Sequence, residues 1–272
     1  MISLEQIKTL QLTQLPKKVA DDFILKYHYS GDVMPRLTKV RLGLIYKNNI
    51  IAVLSLGWGT RPLHTIQKLF SSCDTNDYYE IGKMCLHDDC PRNSETIFLS
   101  KVTKWLKANC PEKKFLYTWA DGIVGKVGYV YQAYNMLYGG YILTDVYVTE
   151  DGKKIHPRSV TKHITKLQTS KGIIKELNFG EKDGLKIMQR PNFYHREILK
   201  LKRVKGKQFR YILPLNKKAK NLIKSSNYRW SLDYPKEDDL LWKVLNPSEK
   251  EYINTTKLPF HINNKNITSE LF

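Results

Sequence analysis

The sequence predicts an α/β fold of the α+β type, in which a mixed central β-sheet carries helices on both faces. Two observations support this class. An apolar hairpin pattern at residues 40–58 is followed by strand and helix patterns that alternate as far as residue 149. A later strand pattern at Phe209–Leu213 follows a basic segment. An antiparallel hairpin joined to a βαβα series produces a sheet with both parallel and antiparallel pairs.

The first part of the chain is predicted to contain a helix, a hairpin and a third strand. Residues 4–26 are helical in pattern, and a helix is expected from about Lys17 into Tyr27–Gly31, where the final glycine ends it. Residues 40–58 form two strands around an Asn-rich turn, and the second strand is apolar throughout. Tyr78–Leu86 is predicted to be the next strand.

The middle of the chain alternates between helices and strands. The Pro91–Thr96 segment opens a helix with Asn93 as its N-cap. Phe115–Ala120 is an apolar, aromatic run that suits a strand buried on both faces. Apolar residues at three- and four-residue steps predict a helix over residues 127–138, which Gly139-Gly140 would end as a left-handed cap.

The C-terminal half combines a further strand pair with a basic insertion. The strand at residues 141–149 is expected to pair with Phe209–Leu213, the end of a basic, hairpin-like stretch at residues 200–214. Residues 156–205 would then be an insertion between two neighbouring strands, with short basic helices at 156–168 and 171–178. We expect a catalytic domain at residues 1–216. The extension at residues 217–272 is polar from Tyr234 onward and is anchored there by Trp242 and Leu245.

This order of elements is that of the acyltransferase fold of the GNAT class, in which a ligand lies between two splayed central strands. Asp121 directly follows the central strand, where ligands of α/β sheets bind. It can therefore belong to a site, or it can simply cap the turn. The Cys90–Thr96 loop lies where such enzymes bind the acetyl-CoA pyrophosphate, yet it contains no glycine.

Composition excludes several classes of protein. The chain has 272 residues, of which 42% are hydrophobic, so it can bury a core. Four cysteines in a chain of this length do not form a disulfide scaffold. No secretory leader pattern and no apolar run of about 20 residues is present, so we expect no membrane partner.

Positive charge is concentrated in one part of the chain. Residues 1–150 contain 18 basic and 14 acidic side chains, a net charge of +4, whereas residues 153–230 contain 22 and 4, a net charge of +18. A clustered positive field attracts polyanions such as nucleic acid. A lysine-rich solvated surface is the alternative interpretation, although it explains the segregation poorly.

Two short segments carry residues that can do chemistry. Tyr27-His28-Tyr29-Ser30 places an imidazole between phenols, which can bind a metal, move a proton or stack on a base, although a structural histidine is the simpler interpretation. The Cys85–Cys90 segment contains two thiols, a histidine and two carboxylates. It lacks the second ligand pair that a zinc site requires.

An ordered set of segments then resembles a known family, the Mom family of bacteriophage DNA-modification proteins, over residues 20–236. The segments are Tyr27-His28-Tyr29-Ser30, Glu80-Ile81-Gly82-Lys83, Pro91-Arg92-Asn93-Ser94-Glu95-Thr96, Ala120-Asp121-Gly122, Tyr131-Gln132-Ala133, Tyr138-Gly139-Gly140, Phe209-Arg210-Tyr211 and Tyr234-Pro235-Lys236. The resemblance implies a GNAT-like enzyme of the host bacterial cytoplasm. It would convert adenine N6 in DNA to a carbamoylmethyl group and so protect phage DNA from restriction.

The resemblance also implies site residues. His28, Tyr29 and Asp121 are expected to be catalytic and to bind iron. The donor, acetyl-CoA or another small molecule, would contact Lys83, Asn93, Thr96 and Tyr131, of which Lys83 and Thr96 replace the Arg and Ser frequent in the family. Double-stranded DNA is expected to contact the basic residues Arg158, Lys162, Arg203, Lys205, Lys207 and Arg210. The oligomeric state, including a homodimer, stays open.

Two other functions remain as alternatives. One is an acetyl-CoA-dependent N-acetyltransferase acting on a small amine or protein, against which the loop without glycine argues. The other is a non-enzymatic DNA-binding anti-restriction protein, which would bind DNA with a steep salt dependence and leave no new nucleoside.

Overall fold

The computed structural model describes residues 2–30, 33, 38–59, 61–155, 201–245 and 251–261. Its helices are α1 (Leu4–Thr9), α2 (Lys17–Tyr27), α3 (Pro62–Leu69), α4 (Ser94–Asn109), α5 (Tyr129–Ala133) and α6 (Lys217–Lys224). Its strands are β1 (Leu12–Gln14), β2 (Thr38–Tyr46), β3 (Asn49–Gly57), β4 (Tyr78–Leu86), β5 (Phe115–Ala120), β6 (Leu137–Val148), β7 (Lys154–Ile155), β8 (Lys202–Pro214), β9 (Trp242–Leu245) and β10 (Tyr252–Thr255).

The strands form one mixed sheet in the order β1-β2-β3-β4-β5-β8-β6-β7, with β9 beside β8 and β10 beside β9. The predicted hairpin is confirmed as the antiparallel pair β2–β3. The predicted strands β4 and β5 have the expected bounds, and β5 is almost entirely buried. The pairing expected between residues 141–149 and 209–213 is present as the antiparallel pair β6–β8.

The parallel pair β4–β5 separates after three residue pairs. Tyr78 pairs with Phe115, and Glu80 pairs with Tyr117 as the last pair. Beyond that point β4 continues beside β3, whereas β5 continues beside β8. The sheet is therefore split between its two central strands at their carboxyl ends, as the predicted GNAT-like architecture requires.

Helices cover both faces of the sheet, as predicted. Leu54 and Leu56 of β3 pack with α1, α4 and α5 in one core cluster, and this side is called the α4 face. Val53 directly precedes Leu54 in the sequence and packs with α2 in a different cluster. Because side chains alternate along a strand, Val53 points to the opposite side, called the α2 face. Tyr78 and Tyr117 lie on that face with α3 and α6.

The prediction of a helix over residues 127–138 is correct for Tyr129–Ala133 and wrong for the residues that follow. Helix α5 ends at Ala133, Asn135 adopts a φ of 53°, and Leu137 already pairs with Ile212 in the sheet. Gly139 and Gly140 are not a helix cap but lie within β6, at an irregularity in its pairing with β8. The apolar residues of this stretch satisfy a strand period as well as a helical one, and long-range pairing decides between them.

Three smaller expectations also change. The hairpin-like stretch at residues 200–214 is a single strand, β8, and α3 was not predicted. Residues 4–26 form two helices separated by β1. Helix α2 ends with His28 as its C-cap, before the glycine expected to end it.

The segments that follow the insertion return to the same sheet. The helices predicted at 156–168 and 171–178 lie outside the described residues. Strand β9 pairs with β8, and its Trp242 is buried, as the predicted anchor requires. None of the described helices is long and apolar enough to cross a membrane.

Candidate functional site

The segment of His28, Tyr29 and Ser30 follows α2 directly. It is called the YS segment, after its last two residues. The His28 backbone N–H donates to the Ile24 carbonyl over 2.9 Å and so fixes the imidazole at the helix end. The imidazole is buried at 8% exposure and stacks on the Tyr29 ring with 4.3 Å between centroids. Two of the three predicted catalytic residues are therefore in direct contact.

Hydrogen bonds within the YS segment set the protonation of the imidazole. The Ser30 backbone N–H donates to His28 Nδ1 over 3.2 Å, and the Ser30 hydroxyl lies 2.8 Å from the same nitrogen. Because Nδ1 accepts, the neutral ring carries its proton on Nε2. In this tautomer Nε2 of His28 is the donor nitrogen of the ring.

Lys83 ties the YS segment to β4. Its ammonium group donates to Ser30 Oγ over 2.7 Å. Lys83 was expected to bind the donor, but its side chain lies on the α2 face beside the predicted catalytic residues. Its charge can act on a ligand bound next to His28.

The opposite side of the split contributes the loop after β5. Lys126 Nζ lies 4.6 Å from the centroid of the Tyr29 ring, a cation–π contact. Tyr29 also packs against the core cluster that contains Ile123, Val124 and Val204. The YS segment therefore spans the split, with Ser30 held by β4 and Tyr29 held by the loop that follows β5.

Asp121 organises this loop through its backbone. Its carbonyl accepts hydrogen bonds from the Val124 N–H over 3.0 Å and from the Lys126 N–H over 3.2 Å. Its side chain does not cap the short 3₁₀ helix Gly122–Val124 that follows. The capping interpretation of the carboxylate is therefore not supported, and the carboxylate lies at the end of β5 in the loop that contacts Tyr29.

The other predicted donor-binding residues belong to the α4 face. Asn93 is the residue before α4 and adopts a φ of 73°, without a side-chain capping bond. Thr96 lies in the first turn of this helix of 16 residues. Tyr131 lies in α5 and packs on Tyr211, with 5.6 Å between ring centroids. These three residues are thus separated from Lys83 by the sheet.

The predicted DNA-contacting residues fall into three groups. Arg158 and Lys162 lie outside the described residues. Arg203, Lys205 and Lys207 alternate along β8 and share a face with Phe209 and Tyr211, the α4 face. Lys205 and Lys207 lie over the rings of Tyr252 and Tyr141, at 4.7 Å and 4.8 Å. Arg203 forms an ion pair with Asp145 at 2.7 Å.

Arg210 is not exposed, whereas a residue that contacts DNA is expected to be. It is buried at 6% exposure, with its guanidinium 5.1 Å from the Trp119 ring and 4.9 Å from the Tyr228 ring. Its Nη1 donates to the Gly139 carbonyl over 2.9 Å. These contacts identify Arg210 as a core cation that fastens β8 to its neighbours.

The iron expected at His28, Tyr29 and Asp121 stays a prediction. Coordination through Nε2 would require His28 Nδ1 to carry the proton and to donate it to the Ser30 hydroxyl, 2.8 Å away. Within the part of the chain that the structure describes, no group of three or more His, Cys, Asp or Glu side chains is arranged for a metal.

Comparison with known proteins identifies the family. A model of the Mom protein family matches residues 9–236, most of the chain. The chain belongs to the Mom family. A curated relative, the methylcarbamoylase mom of Escherichia phage Mu, is 26% identical over 229 residues, which are 84% of this chain and 85% of that protein.

Solved structures similar to this Mom family member are acetyltransferases. A GNAT-family acetyltransferase from Streptococcus pneumoniae matches with a TM-score of 0.35 and 9% identity, over 49% of this chain and 88% of its own. An aminoglycoside 6′-acetyltransferase of type Ii matches with a TM-score of 0.31 and 10% identity, over 52% and 88%.

Sequence reasoning missed three residues of the site. Ser30 belongs to a segment of the family resemblance, but no pattern indicated that it connects His28 to Lys83. Lys126 lies between Gly125 and Gly128, and no pattern indicated that it would reach Tyr29. Glu80 was part of a family segment, and its position at the last β4–β5 pair follows only from the pairing of the strands.

Proposed function

We propose that this protein transfers a carbamoylmethyl group to N6 of adenine in double-stranded DNA, and that the product protects phage DNA from restriction in the host cytoplasm. Membership of the Mom family and the name of the phage Mu relative support this reaction. Resemblance to the Mom family leads to adenine as the acceptor. The observation that carries the site assignment is the YS segment, which lies across the split in the sheet.

The acceptor enters from the α2 face. Adenine N6 is buried in a duplex, so the base must be extruded to react. The Tyr29 ring, backed by the imidazole of His28, can stack on an extruded base when the Lys126 ammonium moves off the ring. Lys83, which contacts Ser30, and the displaced Lys126 then provide positive charge for the adjoining phosphates.

The chemistry follows from the groups at the split. N6 attacks the methylene carbon of a donor that carries a carbamoylmethyl group on a leaving group. The N6–C bond forms, the leaving group departs with the electron pair of its bond, and N6 loses one proton. Asp121 accepts that proton, and the Nε2–H of His28 donates a hydrogen bond to the carboxamide oxygen of the donor.

The donor lies on the α4 face of the same split. Helix α4 begins beside Asn93, and the N–H groups of its first turn favour an anionic group. Thr96 and Tyr131 border this region. Because the loop before α4 contains no glycine, we expect its contact with a donor phosphate to differ from that of the acetyl-CoA enzymes.

The duplex is held by the basic part of the chain. Lys205 and Lys207 supply two cations on β8, and the segment 156–200 adds many more charges. Such contacts give affinity without sequence preference. They capture the duplex, and Lys83 and Lys126 on the α2 face hold it where the extruded adenine is recognised.

Nucleoside analysis of plasmid DNA tests this function. The protein is expressed in a bacterium, the plasmid is digested, and the nucleosides are analysed by mass spectrometry. We expect a deoxyadenosine heavier by one carbamoylmethyl group, absent from cells with empty vector. The Asp121→Asn variant should lose this product and the exposed Asp22→Asn control should keep it. DNA that binds the protein but contains no new nucleoside would contradict the proposal.

A further inference from the structure

Glu80 lies at the point where the two central strands begin to part. It forms the last β4–β5 pair with Tyr117, and no β4 residue beyond it pairs with β5. Its side chain shares the α2 face with Tyr78, two residues earlier on the same strand. A molecule that enters the split from the α2 face therefore meets the Glu80 carboxyl at the end of the split where β4 and β5 are still paired.

The surroundings of the Glu80 carboxyl favour its neutral form. Burial raises its pKa to about 7, although the Gly59 N–H bonds to the carboxylate and opposes that change. A Cβ at residue 59 would lie 2.9 Å from Glu80 Oε2, so a larger residue would crowd the carboxyl. Glu80 nevertheless remains partly accessible.

Charged and titratable neighbours do not change this balance. Tyr78 and Tyr117 are phenols whose own pKa values are raised by burial, so both stay neutral. Lys83 is directed to Ser30, and Arg210 is held between Trp119 and Tyr228. Among the described residues, no basic side chain forms an ion pair with Glu80.

We propose that Glu80, as a neutral carboxylic acid, binds the Watson–Crick edge of the extruded adenine. Its O–H donates to the ring nitrogen N1, and its carbonyl oxygen accepts from the N6 amine. A neutral carboxyl presents one donor beside one acceptor, which matches the acceptor and donor of that edge. The inference rests on the proposed function, because it assumes adenine as the acceptor.

Binding of the base reinforces this state of Glu80. The base removes the remaining solvent from the carboxyl, and further desolvation favours the uncharged form. Glutamine presents the same pair of groups without titrating, whereas alanine presents neither. The two substitutions therefore separate hydrogen bonding by Glu80 from any role that needs a carboxylate.

Nucleoside analysis in cells gives the first test. Glu80→Gln should retain the modified deoxyadenosine within about threefold of wild type, and Glu80→Ala should lower it on the order of tenfold, the value of a lost bidentate base contact. Glu5→Gln, at an exposed position of α1, is the control. Equal thermal midpoints for the variants would show that they fold alike.

Binding in vitro supplies the second test without the donor. The probe is a duplex with adenine opposite an abasic site, compared with one that carries 1-deazaadenine, which lacks the N1 acceptor. Wild type should prefer adenine about tenfold at pH 6 and lose that preference as pH rises above about 7. Glu80→Gln should keep the preference at both pH values, and Glu80→Ala should show none.

The outcomes separate this inference from the proposed function. If wild type makes the modified nucleoside while Glu80→Gln is as inactive as Glu80→Ala, Glu80 acts as a carboxylate and the inference fails alone. A wild-type protein without preference between the two probes overturns it as well. If wild type makes no modified nucleoside, the proposed function fails.

Discussion

Lys83 and Ser30 are joined by a hydrogen bond of 2.7 Å between residues that lie 53 positions apart in the sequence. Because the lysine occupies one acceptor site of the hydroxyl, the Ser30 proton is left to point at His28 Nδ1, 2.8 Å away. Through Ser30, Lys83 of the central strand β4 thus influences which nitrogen of the His28 imidazole carries the proton. This contact between a strand and a helix end therefore fixes the side chain of His28, for which we propose a catalytic role.

Removal of either partner of this bond should weaken catalysis without unfolding the protein. We expect Ser30→Ala and Lys83→Met each to lower the modified nucleoside roughly three- to tenfold, the effect of one lost hydrogen bond. Because both variants remove the same contact, the loss in the double variant should be smaller than the product of the two single losses, although Lys83→Met also removes a positive charge. Ser71→Ala, at an exposed turn, is the control. Fully additive losses would show that the two residues act separately.

Stability should depend on pH through Glu80. Its pKa is about 7 in the folded protein and 4.5 ordinarily, so the folded state binds more protons between these values. Stability is therefore fully present below pH 4.5 and falls as the pH rises toward 7. Urea unfolding at a series of pH values should show this loss in wild type relative to Glu80→Gln. Parallel curves for the two proteins would mean that Glu80 titrates normally.

Two glycines of the loop after β5 should differ in their tolerance of a side chain. Gly125 and Gly128 both have positive φ, 85° and 92°, so alanine strains the backbone at either position by about 1 kcal/mol or more. A Cβ at Gly125 meets no atom within 4 Å, whereas at Gly128 it would lie 2.7 Å from the Ala120 Cβ. Gly128→Ala should lose roughly a further 1–3 kcal/mol in urea unfolding. Equal losses would contradict the packing of this loop against β5.

Arg210 should contribute to folding and not to DNA affinity. Truncation to alanine removes two ring contacts and the bond to the Gly139 carbonyl, and we expect a loss of about 2–4 kcal/mol in the free energy of unfolding. The exposed Arg92→Ala change should have little effect on stability. A stable Arg210→Ala protein with weakened DNA binding would instead restore the predicted role as a phosphate contact.

The sequence predicted local structure well where one pattern dominated. The hairpin β2–β3, the strands β4 and β5 and the pairing of β6 with β8 follow from apolar runs and turns. The pattern failed at residues 127–138, where aromatic and apolar residues suit two periods and the pairing of Leu137 with Ile212 decides. Helix α3 has a helical pattern that the prediction missed, with Pro62 at its start and apolar residues Ile66 and Leu69 three positions apart that pack with Phe115 and Tyr117.

The site could be predicted only in part, because its contacts join distant parts of the chain. The roles of His28, Tyr29 and Asp121 are predicted from the family resemblance and stay predictions. The role of Lys83 depends on which face of β4 it occupies, and an irregularity in the β3–β4 pairing sets that face. Lys126 reaches Tyr29 only because of the loop that Asp121 organises. Arg210 looked like a DNA contact because sequence shows charge but not burial.

The basic side chains of β8 should contribute to DNA binding electrostatically. We expect Lys205→Ala with Lys207→Ala to weaken binding of unrelated duplexes to a similar extent and to reduce the slope of log K against log salt by about 2, near one for each lost phosphate contact. Lys8→Ala with Lys47→Ala, at exposed positions of α1 and the β2–β3 turn, is the charge-matched control. An unchanged slope would place the duplex elsewhere on the protein.

Two histidine variants give the sharpest test of where the catalytic site lies. His28 lies in the YS segment across the split, whereas His87 lies just beyond β4, beside Tyr27 with 4.9 Å between ring centroids, and its side chain is 31% exposed. Each is changed to alanine, and the modified deoxyadenosine in plasmid DNA is measured by mass spectrometry at equal levels of folded protein. We expect that His28→Ala abolishes the product and that His87→Ala retains it. Full modification by the His28→Ala protein would contradict the assignment of the catalytic site.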